Sequence, residues 1–232
     1  MTKKLVKEIL RFGGIEMKRS NKSFGQYKLS YKKYRSYTMV PEAAFILNLD
    51  LCSHFEKVDG DYVECGVWRG GMSAAIAEVL GSDRQFHLFD SFQGLPTAKD
   101  IDGAEALAWQ RDITSPGYFD NCRAEESYVL SAMKLAGHKK YQIHPGWFDK
   151  TIPQFGNHPI AILRLDGDWY DSTWVCMEYL FPKVIDGGIV LLDDYYTWDG
   201  CAKAVHDYLS KTKSPSRVCQ WNNQIAYILK KN

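Results

Sequence analysis

Residues 158–173 read HPIAILRLDGDWYDST, and the change from mostly apolar to mostly polar residues within this stretch decides the fold. Its first half, His158–Leu165, is predicted as a β-strand that ends at Asp166. The Gly and Asp residues that follow are typical of a tight turn, and Ser172–Val184 is predicted as a helix. A strand that leads through a short turn into a helix is the building unit of a parallel α/β sheet.

The same alternation of strand and helix extends on both sides of this stretch. Further strands are predicted at Asp61–Cys65, Gln85–Phe89, Tyr141–His144 and Gly188–Leu192, and helices at Pro41–His54, Met72–Leu80, Glu125–Leu135 and Gly200–Ser210. The chain ends in a predicted hairpin, Val218–Trp221 and Gln224–Leu229. The pattern predicts an α/β protein with a doubly wound, mostly parallel sheet and an antiparallel C-terminal hairpin.

Charge is distributed unevenly along the chain. Of its 232 residues, residues 1–36 carry eleven Lys and Arg and two acids, a net charge of +9, whereas the remainder carries −8. We therefore expect a basic N-terminal arm over residues 1–36 and one domain over residues 37–232. The arm is compatible with a solvated segment, an oligomer contact, or binding to a phosphorylated substrate or an anionic surface. Its start, residues 3–12, fits a short basic amphipathic helix on a membrane surface.

Composition argues against several other classes of protein. The overall net charge of +1 gives no indication of a nucleic-acid partner. None of the six cysteines forms a C-x-x-C pair, and several lie in apolar runs, so free thiols in a reducing, cytoplasmic setting are expected. The N-terminus lacks the pattern of a signal peptide, and no apolar stretch is long enough for a transmembrane segment.

The loop between the first strand of the body and its helix, residues 64–71 (ECGVWRGG), is rich in glycine. A dinucleotide site would place a second glycine two residues after Gly66, where this chain has Trp68. The bulky indole disfavours a pyrophosphate and is compatible with S-adenosylmethionine, which has no phosphates. Asp90, at the end of the next strand, is expected to accept hydrogen bonds from ribose hydroxyls. Each feature also occurs in ordinary turns and helix caps.

Carboxylates follow two of the predicted strands. Asp166 ends one strand, Asp193 and Asp194 end another, and all three would meet at the carboxyl edge of the sheet. Three carboxylates without a His or Cys partner favour a hard divalent cation, Mg²⁺ first and then Mn²⁺ or Ca²⁺. Asp168 is the candidate general base for a hydroxyl acceptor. An ordinary D-G-D turn and a helix cap from Asp171 remain the alternative.

Several segments together resemble the TylF/MycF/NovP group of macrolide and aminocoumarin sugar O-methyltransferases. The matching segments, in order, are Tyr37–Val40, Glu64–Gly71, Phe89–Pro96, Pro145–Phe148, Leu165–Thr173 and Leu192–Tyr195. The resemblance implies a Rossmann-like class I methyltransferase fold, S-adenosylmethionine, Mg²⁺, a sugar acceptor and a homo-oligomer. It implies metal ligation by Asp166, Asp193 and Asp194, and Asp168 as base. It implies a cofactor pocket lined by Thr38, Met39, Glu64, Gly66, Asp90, Ser91, Gly146, Trp147 and Phe148. Trp147 and Phe148 are equally compatible with core aromatics.

The acceptor is the least transferable part of this resemblance, because the N-terminus is short and strongly basic. Residues 97–122 are the second candidate for an acceptor lid. They include Trp109, Arg111, Tyr118 and Phe119, for which ordinary loop packing is the alternative. Other functions compatible with the residues are methylation of a catechol or other diol, a non-catalytic glycan- or nucleotide-binding module, and a nicotinamide oxidoreductase, which Trp68 disfavours.

Overall fold

The structure is a computed structural model that describes residues 11–12, 15–16 and 21–231, with side chains from residue 24 onward. Its strands are β1 (Arg11–Phe12), β2 (Ile15–Glu16), β3 (Asp61–Cys65), β4 (Phe86–Asp90), β5 (Tyr141–Pro145), β6 (Ile160–Leu165), β7 (Val184–Leu192), β8 (Arg217–Trp221) and β9 (Ile225–Leu229). Its helices are α1 (Asn21–Tyr34), α2 (Glu42–Ser53), α3 (Gly71–Leu80), α4 (Ala104–Arg111), α5 (Phe119–Cys122), α6 (Glu126–Ala136), α7 (Phe148–Thr151), α8 (Tyr170–Tyr179) and α9 (Asp199–Lys211).

Seven strands form one sheet in the order β5-β4-β3-β6-β7-β9-β8. The strands from β5 to β7 are parallel, and β9 runs antiparallel between β7 and β8. The predicted α/β sheet and its C-terminal hairpin are confirmed, with the second hairpin strand inserted beside β7. Separately, β1 and β2 form a two-residue antiparallel pair.

Helices cover both faces of the sheet, which is why the central strands are largely apolar. All six residues of β6 are buried, and neighbours along it point to opposite faces because side chains alternate in a strand. Ile162 packs with α2, α3 and α6, whereas Leu163 packs with α8 and α9. Buried on both faces, the parallel strands leave their carboxyl ends as the open edge where a site can form.

The last helix predicted before β7 is shorter than its pattern indicated. The prediction extended it from Ser172 to Val184, but α8 ends at Tyr179 and a separate 3₁₀ turn covers Phe181–Lys183. Pro182 causes the break, since a proline disfavours helical backbone in the residue before it. β7 begins at Val184, four residues before the strand predicted from Gly188.

The basic arm contains more structure than its sequence predicted. Residues 21–34 form α1, which packs on α2 and α3 and buries Tyr27 and Tyr34 in the core. This part of the arm is therefore continuous with the body, and the domain boundary after residue 36 stays a prediction. Most of the proposed amphipathic segment, residues 3–12, lies outside the described residues. Within the described part of the chain, no helix is both long and apolar enough to cross a membrane.

Candidate functional site

The glycine-rich loop between β3 and α3 lies directly against the acidic turn that follows β6. A Cβ atom on Gly66 would lie 1.7 Å from the carbonyl oxygen of Asp166, and Gly66 has φ of +92°. Only glycine fits both the backbone conformation and this close approach. The backbone N–H of Asp166 also donates to the carbonyl oxygen of Cys65 at 2.9 Å. The glycine-rich loop and the acidic turn, which the sequence predicted as two separate sites, are therefore in direct backbone contact.

Asp90, at the carboxyl end of β4, holds the glycine-rich loop in shape. Its Oδ2 accepts hydrogen bonds from the backbone N–H groups of Val67 at 2.9 Å and Trp68 at 2.8 Å. Its Oδ1 accepts from the N–H of Phe92 at 2.7 Å. Burial raises the pKa of Asp90, and these three donors oppose that rise. Because each carboxylate oxygen can accept more than one hydrogen bond, the expected ribose contact stays available.

The carboxylate of Glu64 is buried and accepts hydrogen bonds from side chains in the protein interior. Its Oε1 accepts from Arg164 at 2.7 Å, and its Oε2 accepts from the Tyr62 hydroxyl at 2.7 Å and from the Ser73 hydroxyl. The residue is 1% exposed. Glu64 lines the smaller cavity, and its expected contribution to the cofactor pocket stays a prediction.

Arg164 is the main site residue that the sequence analysis did not identify. It is fully buried in β6, and its guanidinium donates to Glu64, to Asp166 at 2.7 Å and to Asp193 at 2.5 Å. These three carboxylates raise the pKa of Arg164 well above its usual value despite burial. The signal was available, since an arginine in an apolar strand covered on both faces requires charged partners.

Carboxylate oxygens of Asp166, Asp168 and Asp194 lie within 4.8 Å of one another. Asp193, which the family resemblance implies as a ligand, is not in this group, and its Oδ1 accepts a hydrogen bond from Arg164. Burial first, and then the neighbouring carboxylates, raise the pKa values of Asp166 and Asp194 well above normal. A partly buried, oxygen-only group with this much repulsion fits a hard divalent cation.

Asp168 is held in a specific orientation within this group. Its backbone is left-handed, with φ of 59°, and its N–H donates to Oδ2 of Asp194 at 3.0 Å. The indole N–H of Trp198 donates to its Oδ1 at 2.8 Å. Burial raises the pKa of Asp168 to about 7, the Trp198 bond opposes the rise, and the charges of Asp193 and Asp90 add to it. A carboxylate with this pKa is suited to general base catalysis near neutral pH.

Two adjoining cavities open at this edge of the sheet. The larger, of about 500 Å³, is lined by six of the residues expected to bind the cofactor: Met39, Gly66, Asp90, Ser91, Trp147 and Phe148. The smaller, of about 220 Å³, includes Thr38 and Glu64 among its lining. Gly146 borders neither, but its N–H donates to the carbonyl oxygen of Asp90 at 2.8 Å. Asp166 and Asp168 line both cavities and so lie where the two spaces meet.

The segment over the larger cavity, residues 91–122, was expected to be irregular and contains α4 and the single turn α5. All four residues of α5 have positive φ, so this turn is left-handed. Asn121 fixes it by donating from Nδ2 to the Leu95 carbonyl oxygen at 2.8 Å. Asp102 joins the segment to α8 by accepting from the N–H of Tyr170 at 2.7 Å. We call residues 91–122 the lid.

The four lid residues named as candidate acceptor contacts do not line either cavity of the described structure. Trp109 packs edge-on against Trp169 and Trp198, and its indole N–H donates to the Gly117 carbonyl oxygen at 3.1 Å. Phe119 is half exposed. Ordinary packing therefore accounts for Trp109, and an acceptor contact by any of the four stays a prediction.

The strand order, with one reversed strand inserted near the edge, and the cavity at the carboxyl ends of the parallel strands define a class I methyltransferase fold. Residues 32–230 match the model of the macrocin O-methyltransferase family, TylF. The chain belongs to this family.

Solved structures agree with this fold. The O-methyltransferase NovP superposes with a TM-score of 0.67 at 29% identity, covering 84% of this chain and 83% of NovP. The calicheamicin methyltransferase CalS11 superposes with a TM-score of 0.64 at 18% identity, covering 93% and 95% of the two chains. At 18% identity, the second likeness concerns the fold alone.

Curated relatives of this chain are O-methyltransferases. An enzyme of Streptomyces olivaceus is 37% identical over 66% of this chain and 59% of its own length. It is the 4'-O-methyltransferase of 8-demethyl-8-(2,3-dimethoxy-α-L-rhamnosyl)-tetracenomycin C. The demethyldecarbamoylnovobiocin O-methyltransferase of Streptomyces niveus is 36% identical over 67% of this chain and 60% of its own length. The match thus spans about three fifths of each relative.

Proposed function

We propose that this protein transfers the methyl group of S-adenosylmethionine to a hydroxyl group of a sugar. The observation that carries the proposal is the position of Asp168, a carboxylate that lines both cavities. One cavity is available to the methyl donor and the adjoining space to the acceptor. A base at their junction is where such a transfer requires one.

The donor would bind along the glycine-rich loop and Asp90. The ribose hydroxyls of S-adenosylmethionine suit the remaining acceptor capacity of Asp90. Trp68, which lines both cavities, offers a further donor, since its indole Nε1 is buried and has no hydrogen-bond partner among the described residues. An unpaired buried N–H is costly, so a ligand carboxylate that accepts from it would gain affinity.

The transfer follows from these positions. Asp168 accepts the proton of the acceptor hydroxyl, and the oxygen attacks the methyl carbon in line with the C–S bond. The sulfonium sulfur leaves with the electron pair of that bond, which yields the methyl ether and S-adenosylhomocysteine. Because the sulfonium is already activated, orientation of the two reactants supplies much of the rate.

The carboxylates where the two cavities meet suit Mg²⁺. Asp166 and Asp194 would be its ligands, and Asp193 would lie behind them, bound to Arg164. A bound divalent cation would orient the hydroxyl and lower its pKa. Arg164 contributes by neutralising part of the negative charge, so that the group can form without a cation. Assembly as a homo-oligomer and a cytoplasmic location belong to the same proposal.

The acceptor is proposed as a deoxysugar of a natural product or a surface glycan. The support is the pair of relatives above 35% identity, whose names describe O-methylation of a rhamnosyl compound and of a novobiocin precursor.

The test is a methyl-transfer assay with labelled S-adenosylmethionine and a panel of nucleotide sugars, glycosides and catechols, with and without a chelator. Wild-type protein is expected to methylate a sugar and to lose activity with the chelator. Asp168→Asn keeps the left-handed backbone, which Asn tolerates, and should retain binding of S-adenosylhomocysteine and Mg²⁺ while losing about 10²–10⁴ in kcat. Asp83→Asn, on an exposed residue that pairs with Lys140 and lines neither cavity, is the matched control.

Three results would contradict the proposal in different ways. If the protein methylated only catechols, the acceptor would be a catechol and not a sugar. Loss of Mg²⁺ binding in Asp168→Asn would make Asp168 a ligand rather than the base. Failure of the wild type to bind S-adenosylhomocysteine would leave a non-catalytic binding module.

A further inference from the structure

A second group of metal-ligating side chains lies at the amino end of the sheet, away from the cavities. Asp61 is the first residue of β3, His87 is the second residue of β4, and His158 lies two residues before β6. Four residue steps of β3, about 13 Å at ~3.3 Å per residue, separate Asp61 from the glycine-rich loop. We propose that Asp61, His87 and His158 form a binding site for Zn²⁺ or a similar borderline divalent cation, independent of the proposed methyl transfer.

The distances between the ligand atoms suit a tetrahedral ion. Oδ2 of Asp61 lies 3.2 Å from Nε2 of His87 and 3.6 Å from Nδ1 of His158. With ligand bonds of about 2.0–2.1 Å, tetrahedral geometry sets neighbouring ligand atoms about 3.4 Å apart. One ligand atom from each residue can be chosen so that all three lie within 4.8 Å of one another. Small rotations of the two imidazoles are therefore enough to surround an ion.

The backbone and a third histidine hold this arrangement in place. The N–H of Asp61 donates to the carbonyl oxygen of Pro159 at 2.8 Å, which ties β3 to the segment that carries His158. Nδ1 of His87 lies 3.1 Å from Nε2 of His144, and the His144 ring stacks on Phe89 at 4.1 Å. When Nδ1 of His87 donates to His144, its Nε2 lone pair is directed at the site. This support from a partner on the second ring nitrogen is typical of metal-binding histidines.

Burial and ligand type point to the kind of ion. His87 is 3% exposed, whereas the His158 side chain is 52% exposed and gives an ion access from solvent. Two imidazoles and one carboxylate favour Zn²⁺ over Mg²⁺ or Ca²⁺, which prefer oxygen ligands. The fourth position faces solvent beside His158, so water completes the shell. The ion would join β3, β4 and the turn before β6.

The experiment is a titration of the untagged, chelator-stripped chain with Zn²⁺ against a chromophoric chelator, in saturating Mg²⁺ to occupy the acidic group at the other edge. One Zn²⁺ per chain with submicromolar Kd is expected. His158→Gln and Asp61→Asn should each weaken binding at least tenfold, and His144→Gln about 10–100-fold. His206→Gln, which removes a histidine on α9, and Asp194→Asn should leave the affinity unchanged. Circular dichroism checks that each variant is folded, and Co²⁺ in place of Zn²⁺ should give the intense visible bands of a four-coordinate ion.

The outcomes separate this site from the alternatives. Absence of Zn²⁺ binding in the wild type, or equal binding by the wild type and His158→Gln, would reduce the group to a hydrogen-bonded carboxylate and imidazoles. Loss of binding in Asp194→Asn alone would assign the ion to the acidic group beside the cavities. None of these readouts depends on methyl transfer, so failure of the proposed function would leave this test intact.

Discussion

The indole nitrogen of Trp198 lies 2.8 Å from Oδ1 of Asp168. This bond joins the residue before α9 to the acidic turn after β6. Burial raises the pKa of Asp168, and the hydrogen bond from Trp198 opposes that rise. Loss of the bond should therefore raise the pKa of Asp168 further.

Trp198→Phe should raise the pKa of Asp168 by about 1 unit, which corresponds to the loss of one hydrogen bond to a charged group. A base must be ionised to work, so the acidic limb of the kcat/KM profile should shift upward by that amount. Affinity for S-adenosylhomocysteine should change little. Trp109→Phe is the control, because Trp109 packs in the same aromatic group but donates to Gly117. Identical profiles for the two variants would disprove the role of Trp198.

Mg²⁺ should stabilise the fold more at pH 8 than at pH 5. Asp168 has a pKa of about 7 in the folded protein and about 3.9 when unfolded. Between these values the folded chain holds a proton that the unfolded chain has lost, so the contribution of Asp168 to stability falls as the pH rises through about 7. A cation that replaces the proton counteracts this loss.

The measurement is the thermal unfolding midpoint in chelator and in Mg²⁺ at the two pH values. Asp194→Asn should reduce the increment produced by Mg²⁺. An increment that is equal at both pH values, or absent, would count against the acidic group as a cation site.

Glu64→Gln should destabilise the protein strongly. The change removes one of three carboxylates that neutralise the buried Arg164, and it weakens two further hydrogen bonds. We expect the free energy of unfolding to fall by about 2–4 kcal/mol, measured by urea titration. Asp171→Asn, which breaks an exposed ion pair with Lys99, should leave the midpoint unchanged. A similar small effect in both variants would mean that Arg164 does not require Glu64.

Trp68→Phe should weaken binding of S-adenosylhomocysteine about fivefold to tenfold, the range for one hydrogen bond of about 1 kcal/mol. The phenyl ring preserves the packing against Arg69, whose guanidinium lies 4.3 Å from the Trp68 ring. Calorimetric titration gives the affinity, and Trp147→Phe compares a second aromatic wall of the cavity. Unchanged affinity in Trp68→Phe would show that the indole N–H does not contact the donor.

The sequence was sufficient to predict the sheet because its strands are buried on both faces and end in conspicuous Gly and Asp residues. It also predicted that Asp166, Asp193 and Asp194 meet at one edge, since parallel strands share their carboxyl ends; in the structure the grouped carboxylates are Asp166, Asp168 and Asp194. It could not predict that Arg164 binds Asp193, because that choice depends on side-chain geometry between neighbouring strands. The matching family segments indicated which residues border the site, but not that Glu64 lies beneath it.

Two parts of the chain were harder to predict for physical reasons. α1 has few apolar residues, and its burial of Tyr27 and Tyr34 depends on α2 and α3, which are distant in sequence. The left-handed turn α5 contains no glycine, so its backbone depends on tertiary contacts such as that between Asn121 and Leu95. The expected short helices at residues 200–210 and 125–135 were confirmed to within a residue or two because their apolar faces are local patterns.

Gly66 touches the main chain of Asp166, and the N–H of Asp166 donates to the carbonyl oxygen of Cys65, so separating the loop proposed to carry the donor from the turn that carries the proposed base would break a backbone hydrogen bond. The proposed path of the methyl group would then be set by backbone contacts and not by side chains that substitution can alter. The lid, in contrast, is held in place by a few side-chain hydrogen bonds. During evolution, substitutions in the lid can therefore change the acceptor, while the residues proposed to carry out the transfer stay the same.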